Sequence, residues 1–162
     1  MEPSEILLKL VLDELGISAG IQSVGDRKRI QKAVYLAQAA GVDLGYFFGW
    51  YVMGPYSPAL ADEYYGLESA LEQKADGLAN TALRTDLKKK LKALQPALQP
   101  PHGSHLSTQD DWLELLASIH FLETVSKYNP QACVAVLRQQ KPHLADSFDL
   151  GRQTLRDVGL LG

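Results

Sequence analysis

The stretch from residue 44 to residue 53, LGYFFGWYVM, limits the possible folds more than any other part of the chain. Half of its residues are aromatic and two are glycines, a composition that favours extended structure and disfavours a helix. The segments on both sides instead repeat apolar residues at helical spacing. We therefore predict a mainly α-helical domain with one short β segment around residues 47–52.

Capping signals and apolar periodicity place helices around this segment. Gly54-Pro55 is a turn signal, and Ser57-Pro58 combines an N-cap with proline at the first helical position. These four residues are expected to form a structural turn that orients the following helix. We expect helices over residues 4–15, from about Asp26 to Gly41, from Pro58 to about Leu71, and over residues 85–95.

The C-terminal half continues the helical pattern after an interruption. Residues 96–106 contain three prolines, two histidines and a glycine, which predicts a loop or linker. It separates a core of residues 1–95 from a helical segment of residues 107–162. We expect a helix capped by Ser107 that runs from about Thr108 to Lys127, a short helix after Asn129-Pro130, and a final helix from about His143 to Val158. These helices either pack on the core or form a homodimer seam, and the pattern does not distinguish the two.

Composition and motifs argue against several classes of protein. A net charge of −3 is unusual for a nucleic-acid-binding domain, and the single cysteine, Cys133, fits a reducing compartment. No run of 18 apolar residues occurs, and the N-terminal apolar run is amphipathic, so we expect a cytoplasmic protein without a membrane segment. The four histidines lack metal-ligand spacing, and no phosphate-binding glycine motif occurs. We therefore expect no enzymatic activity, no metal and no cofactor.

Aromatic residues are concentrated in one part of the chain. Tyr and Trp combine a large apolar area with a polar tip, which suits interfaces. The alternative is that they are core residues with satisfied hydroxyl groups. We predict that the tyrosines are partly exposed together and that a protein partner binds this set: Tyr46, Trp50, Tyr51, Tyr56, Tyr64 and Tyr65.

A basic cluster near the start of the second helix is the other candidate site. Arg27, Lys28, Arg29 and Lys32 oppose the positive end of the helix dipole there. They either contact an anion or a nucleic-acid backbone, or form an ordinary solvated helix face. The first alternative predicts salt-dependent affinity for DNA or RNA.

Residues 29–67 carry an ordered set of features. Lys32, Tyr35, Leu36 and Ala37 give the pattern K-x-x-Y-L-A, an aromatic segment follows, and then comes the turn GPYSP at residues 54–58. In this the chain resembles the YwgA-like and Panacea (SocA-like) proteins, over roughly residues 5–72. The resemblance implies a helical, winged-helix-like core and a non-enzymatic role. A protein with such a role would bind a toxin, present a client to a protease, or act in phage defence.

The helix predicted from Pro58 helps to choose between partners. It carries Asp62, Glu63, Glu68 and Glu72 and no basic residue, so it would repel phosphate. A protein-interaction module is therefore our first hypothesis, and a winged-helix-like nucleic-acid-binding regulator is the second. The third is an enzyme with an unrecognised site, which would require a pocket with perturbed titratable groups.

Overall fold

A computed structural model of the chain describes residues 1–74, 77–78 and 81–162. Over those residues the chain forms eight α-helices and one antiparallel hairpin, which confirms the predicted mainly α-helical fold with a short β segment. Its winged-helix-like character stays a prediction. In chain order the elements are α1 (Pro3–Leu15), α2 (Val24–Ala39), β1 (Gly49–Tyr51), β2 (Gly54–Tyr56), α3 (Pro58–Glu72), α4 (Thr85–Leu94), a 3₁₀ turn (Gln95–Leu98), α5 (Gln109–His120), a π-helical turn (Phe121–Val125), α6 (Pro130–Gln140), α7 (Pro142–Ala145) and α8 (Phe148–Asp157).

The start of α2 differs from the sequence expectation. The helix begins at Val24, because Ser23 is the N-cap and accepts a hydrogen bond from the Asp26 backbone amide at 3.0 Å. The Asp26 carboxylate accepts from the Ser23 amide in return, at 3.2 Å. Asp26 is therefore the third residue of a capping box and not the cap itself. Asp26 correctly signalled a helix start, but the N-cap lies three residues earlier than predicted.

The hairpin corrects the predicted turn. Gly54 and Pro55 belong to strand β2, where they pair with Tyr51 and Trp50, and the chain reverses at residues 52–53. Both strands of a two-stranded sheet are edge strands, so the missing amide of a proline is tolerated. Gly54 has φ +91°, which favours glycine. The second half of the predicted turn is confirmed: the Ser57 hydroxyl accepts from the Leu60 amide at 3.3 Å, and Pro58 opens α3.

The predicted linker contains ordered, buried structure. Ala97 and Leu98 lie in the 3₁₀ turn and are buried, as is Leu106. The Trp112 indole donates to the Ala97 carbonyl at 2.8 Å, which fixes this segment against α5. Thr108, and not Ser107, is the N-cap of α5.

The C-terminal helices differ from the prediction in their continuity. The expected helix from residue 108 to residue 127 is divided into α5 and a π-helical turn that ends at Val125. The expected final helix begins at Pro142 but is interrupted at residues 146–147, so that α7 and α8 are separate.

Helix α5 lies at the centre of the core, between α2 and α8. Trp112 is fully buried, and the apolar residues of α5 join those of α1 to α4 in one continuous cluster. The C-terminal half therefore supplies the middle of the core. Among the helices of the described residues, none has the length and apolar character that crossing a membrane requires.

Candidate functional site

Two adjoining cavities lie where the hairpin meets α2 and α3. The first, here called the α3 cavity, has a volume of about 160 Å³. The second, here called the hairpin cavity, has a volume of about 260 Å³. The walls of the α3 cavity come from Val24, Arg27, Lys28, Gln31, Lys32, Met53, Tyr56, Tyr64 and Tyr65. Those of the hairpin cavity come from Lys32, Tyr51, Val52, Met53 and Tyr56.

The fold brings four of the six predicted aromatic residues to these cavities: Tyr51, Tyr56, Tyr64 and Tyr65. Tyr51 and Tyr65 are exposed by 49% and 52%, and Tyr56 is partly buried. The predicted exposure of Tyr64 is wrong, because it is 2% exposed and lies on the inward face of α3. Its ring centroid is 5.3 Å from that of Tyr65, so it forms the buried base on which the exposed ring rests.

Tyr46 and Trp50 lie outside both cavities. Tyr46 is anchored by its backbone, which donates to the Gln38 side chain at 2.8 Å and accepts from it at 3.0 Å. Burial, with a contribution from the Glu63 carboxylate, raises the pKa of Tyr46 to about 12. The Trp50 ring packs against Phe121 with centroids 5.7 Å apart. These two residues attach the hairpin region to its neighbours and do not line the cavities.

The basic cluster does not form a free cationic surface. The Lys28 ammonium lies 3.3 Å from Asp110, 2.9 Å from Asp111 and 2.9 Å from Glu114. Burial opposes its charge, but hydrogen bonds to Asp111 and Glu114 outweigh that effect and raise the pKa of Lys28 well above its usual range. Arg29 pairs with Asp26 on its own helix.

The two remaining members of the cluster have different environments. Lys32 is only 1% exposed, so the expectation that it lies on a solvent-facing cationic patch is wrong. Arg27 is partly buried and donates to the Ile21 carbonyl at 2.8 Å, and it has no carboxylate partner among the described residues. Arg27 is thus the member of the cluster whose charge is available to an anionic group at the α3 cavity.

A buried cluster of charged side chains, here called the ion cluster, contacts the hairpin. Glu114 of α5 is 3% exposed, and its two carboxylate oxygens accept from Lys28 at 2.9 Å and from Lys141 at 2.8 Å. Lys141 is 1% exposed, also donates to the Val52 carbonyl, and lies 5.4 Å from the centre of the Trp50 ring. Neither residue was predicted from the sequence. An acidic residue inside the apolar run of α5 was a usable signal for Glu114, whereas nothing in the sequence marks Lys141.

Lys32 lies under the hairpin in a different environment. Its ammonium nitrogen donates to the Pro55 carbonyl at 2.6 Å, and among the described residues no carboxylate lies within salt-bridge distance of it. Burial lowers the pKa of Lys32 to about 7; Glu114 opposes this shift, and the charges of Lys141 and Lys28 add to it.

Hydrogen bonds and close packing fix the exit of the hairpin. The Gln31 amide donates to the Ser57 carbonyl and accepts from the Ser57 amide, both at 2.9 Å. A methyl group placed on Gly54 would lie 2.6 Å from the Ser118 hydroxyl oxygen, which has no hydrogen-bond partner within the described part of the chain. The hairpin therefore approaches α5 closely at Gly54, and only a residue without a side chain fits there.

Tyr35, which belongs to the family-like pattern, lies apart from the cavities. Its hydroxyl lies 2.8 Å from Nδ1 of His120, at the start of the π-helical turn. Burial lowers the pKa of His120, which favours the neutral ring as hydrogen-bond acceptor, and burial also raises the pKa of Tyr35. This pair joins α2 to α5 and has a structural role.

Asp111, Glu114 and His143 have ligand atoms within 4.8 Å of one another, an arrangement that can hold a metal ion. Here, however, Lys28 occupies oxygens of both carboxylates, and Lys141 occupies the second oxygen of Glu114. A cation would have to displace these lysines, so the arrangement is accounted for as a salt-bridge cluster.

Comparison of the chain with models of protein families, with curated proteins and with solved structures gave no match. The function is therefore inferred from the residues of the site.

Proposed function

We propose that this chain is a non-enzymatic protein-interaction module whose partner binds the surface around the two cavities. We define the hairpin face as Val24, Tyr51, Val52, Met53 and Tyr65. These are five of the nine large hydrophobic residues that are exposed in the described part of the chain, and all five line a cavity. Such a concentration on one face is typical of a protein-binding site, whereas single exposed hydrophobic residues are normal. This concentration is the observation that carries the proposal.

The α3 cavity supplies an anchoring point within the hairpin face. It is narrow and has aromatic walls, so it suits one apolar side chain of a partner, surrounded by tyrosine rings. Arg27 lies in the same wall, and no carboxylate of the described residues pairs with it. We expect the partner to place an acidic group beside its apolar anchor, because a charge-assisted hydrogen bond to the guanidinium would satisfy both groups.

Two hydrogen bonds from buried lysines hold the backbone beneath the hairpin face, which favours binding. Lys141 holds the carbonyl of Val52 at the hairpin tip, and Lys32 holds that of Pro55 in the second strand. A surface already held in one conformation loses less entropy on association than a mobile loop does. The resemblance to the YwgA-like and Panacea proteins supports an antitoxin, adaptor or phage-defence role in the cytoplasm.

Nucleic-acid binding is the alternative. Of the four basic residues that suggested it, Lys28 is paired with three acidic residues and Lys32 is buried. Helix α3, which supplies Tyr64 and Tyr65 to the cavity wall, also carries the acidic residues Asp62 and Glu68. Arg29 is paired with Asp26, so this cluster offers few charges for the repeated phosphate contacts on which such binding depends.

The test is affinity purification of the tagged protein from its native cells after nuclease treatment, with two matched pairs of variants. Val52→Asp and Tyr65→Ala alter the hairpin face, at residues that are 89% and 52% exposed. Val125→Asp and Tyr128→Ala make the same changes at exposed residues that line neither cavity. We expect a stoichiometric protein partner with the wild type and with the second pair, and its loss with the first.

Two outcomes would contradict the proposal. Retention of the partner by the first pair of variants would show that the hairpin face is not the binding surface. Material that is released by nuclease, or steeply by salt, and lost on charge reversal at Arg27, would favour the nucleic-acid regulator. Light scattering on the purified protein distinguishes a second copy of this chain from a different partner.

A further inference from the structure

Lys32 is the one residue of the ion cluster region that lines both cavities. The neighbouring acidic residues are already engaged, because Lys28 and Lys141 occupy both oxygens of Glu114. Lys32 therefore has a backbone carbonyl as its partner, the oxygen of Pro55. Lys32 lies among aromatic side chains and next to other cations, and the nearby carboxylate of Glu114 is already paired. In such surroundings an amine can become a nucleophile.

We propose that Lys32 captures a small aldehyde or ketone that carries a carboxylate, and holds it as an imine at the floor of the α3 cavity. The volume of this cavity limits the ligand to a few non-hydrogen atoms. The guanidinium of Arg27 lies in the same wall and has no carboxylate partner among the described residues, so it is the group that would pair with the anionic end of the ligand. Lys28 is also in the wall, but its acidic partners already compensate its charge.

The reaction needs no component other than the amine and the carbonyl compound. The lone pair of the neutral Lys32 amine attacks the carbonyl carbon, a C–N bond forms, and the carbonyl oxygen takes up a proton. The nitrogen then loses its second proton, the oxygen departs as water, and a C=N bond remains. One amine and one carbonyl are consumed, one imine and one water are produced, and nothing is oxidised or reduced.

The surroundings of Lys32 favour the neutral amine that this step requires. The charged groups that face it are Glu114 of α5, Lys28 of its own helix and Lys141 before α7, and the hairpin contributes the Pro55 carbonyl. Burial lowers its pKa to about 7, so about half of the amine is neutral at pH 7, compared with roughly one molecule in three thousand for an ordinary lysine.

The experiment uses glyoxylate, an aldehyde with a carboxylate, and cyanoborohydride to reduce any imine to a stable amine. The purified wild-type protein is labelled at pH 7, and peptide mass spectrometry gives the labelling rate of each lysine. Lys89 and Lys92 are exposed and serve as references within the same chain. We expect Lys32 to be labelled at least tenfold faster than either. We also expect its rate to level off above about pH 8, while the reference rates continue to rise.

Labelling that follows exposure, with Lys32 no faster than Lys89, would overturn the proposal. The ligand class is tested with Arg27→Gln and Arg27→Lys, each labelled with glyoxylate and with uncharged propionaldehyde. We expect Arg27→Gln to slow labelling of Lys32 by glyoxylate about tenfold and to leave propionaldehyde unchanged, and Arg27→Lys to retain the preference. Equal effects on both aldehydes would refute the anion-pairing role of Arg27. No partner protein is present in these assays, so their results are independent of the docking proposal.

Discussion

The hairpin junction and the seam between α5 and α8 are held together in opposite ways. At the junction, Glu114, Lys28, Lys141 and Lys32 form ion pairs and hydrogen bonds to backbone carbonyls beneath an exposed apolar face. At the seam, Gly151 lets α8 pack directly on the apolar side chains of α5. The seam is held by apolar packing around Gly151, whereas the junction leaves apolar surface exposed and is fixed by polar contacts instead. Loss of charge should therefore disrupt the junction more than the seam.

The largest effect is expected where one acid compensates two buried lysines. Glu114→Gln would leave Lys28 and Lys141 without the charge that both contact. Removing one partner of a buried ion pair costs about 3–5 kcal/mol. We expect the free energy of unfolding, measured with urea, to fall by this amount.

Asp86→Asn is the control for that variant. Asp86 pairs with Arg84 at the surface, where both side chains are more than half exposed. Such pairs contribute about 0–1 kcal/mol. A similar effect for both variants would mean that burial does not distinguish the junction from an ordinary surface pair.

The second effect concerns the close approach of the hairpin to α5. Gly54→Ala should destabilise the protein by about 2–4 kcal/mol, because the left-handed conformation disfavours a side chain and the new methyl overlaps Ser118. Gly45→Ala separates these causes, since Gly45 has φ +78° and, within the described part of the chain, no atom lies within 4 Å of the added carbon. We expect Gly45→Ala to lower the stability by half as much as Gly54→Ala, or less. In thermal melts, Ser118→Ala should partly restore the stability of Gly54→Ala.

The same substitution at the seam sharpens the contrast. A methyl on Gly151 would lie 2.9 Å from a Leu115 methyl and 3.0 Å from one of Ile119. These side-chain ends can move, and alanine favours the helix over glycine by about 1 kcal/mol. Gly151→Ala should therefore cost less than Gly54→Ala. The reverse order would show that the seam is the more tightly packed of the two regions.

The last effect is a pH dependence between pH 7 and pH 9 that arises at the junction. The pKa of Lys32 is about 7 in the folded protein and about 10.5 in the unfolded chain, so the unfolded chain binds an extra proton between these values. The free energy of unfolding should then rise with pH, by up to about 1.4 kcal/mol per unit. We expect the rise between pH 7 and pH 9, above which burial of the Cys133 thiol, with its raised pKa, begins to act in the opposite direction.

Urea melts at several pH values test this. Lys32→Met should remove the rise, because no group remains there to titrate, whereas Lys89→Met at an exposed position should retain it. A wild-type protein whose stability is constant from pH 7 to pH 9 would show that Lys32 stays charged in the fold.

Local signals in the sequence were sufficient for most of the helices. Ser57-Pro58 and Asn129-Pro130 do begin helices, and the aromatic segment does form a strand. The second strand was missed because Gly54-Pro55 has the composition of a turn, and only pairing with residues 49–51 shows that it is extended. Residues 96–106 have the composition of a linker, and only contact with Trp112 shows that the segment is packed.

The candidate site depends on contacts between residues far apart in the chain, which is why the sequence predicted it only in part. Tyr65 and Arg27 were predicted as members of two separate sites, and the fold places both in the wall of the α3 cavity. Tyr64 is adjacent to Tyr65, but the helical rotation between them turns it into the core. Lys28 and Lys32 look alike in sequence, yet the first has three acidic partners and the second has a backbone carbonyl. Those partners belong to α5 and the hairpin, and composition and periodicity do not predict where these elements lie relative to α2.

The contact between Lys141 and the Val52 carbonyl has a consequence for synthesis. The two residues are separated by 89 positions, so the hairpin tip acquires its support only after the chain has been extended through α6. At about 5–20 residues per second, a ribosome needs roughly 4–18 s to cover that distance. During this interval the nascent chain carries its apolar tip unsupported, and a partner that requires the fixed tip would recognise only chains extended past residue 141. The timing of translation would then decide when this surface first becomes competent to bind.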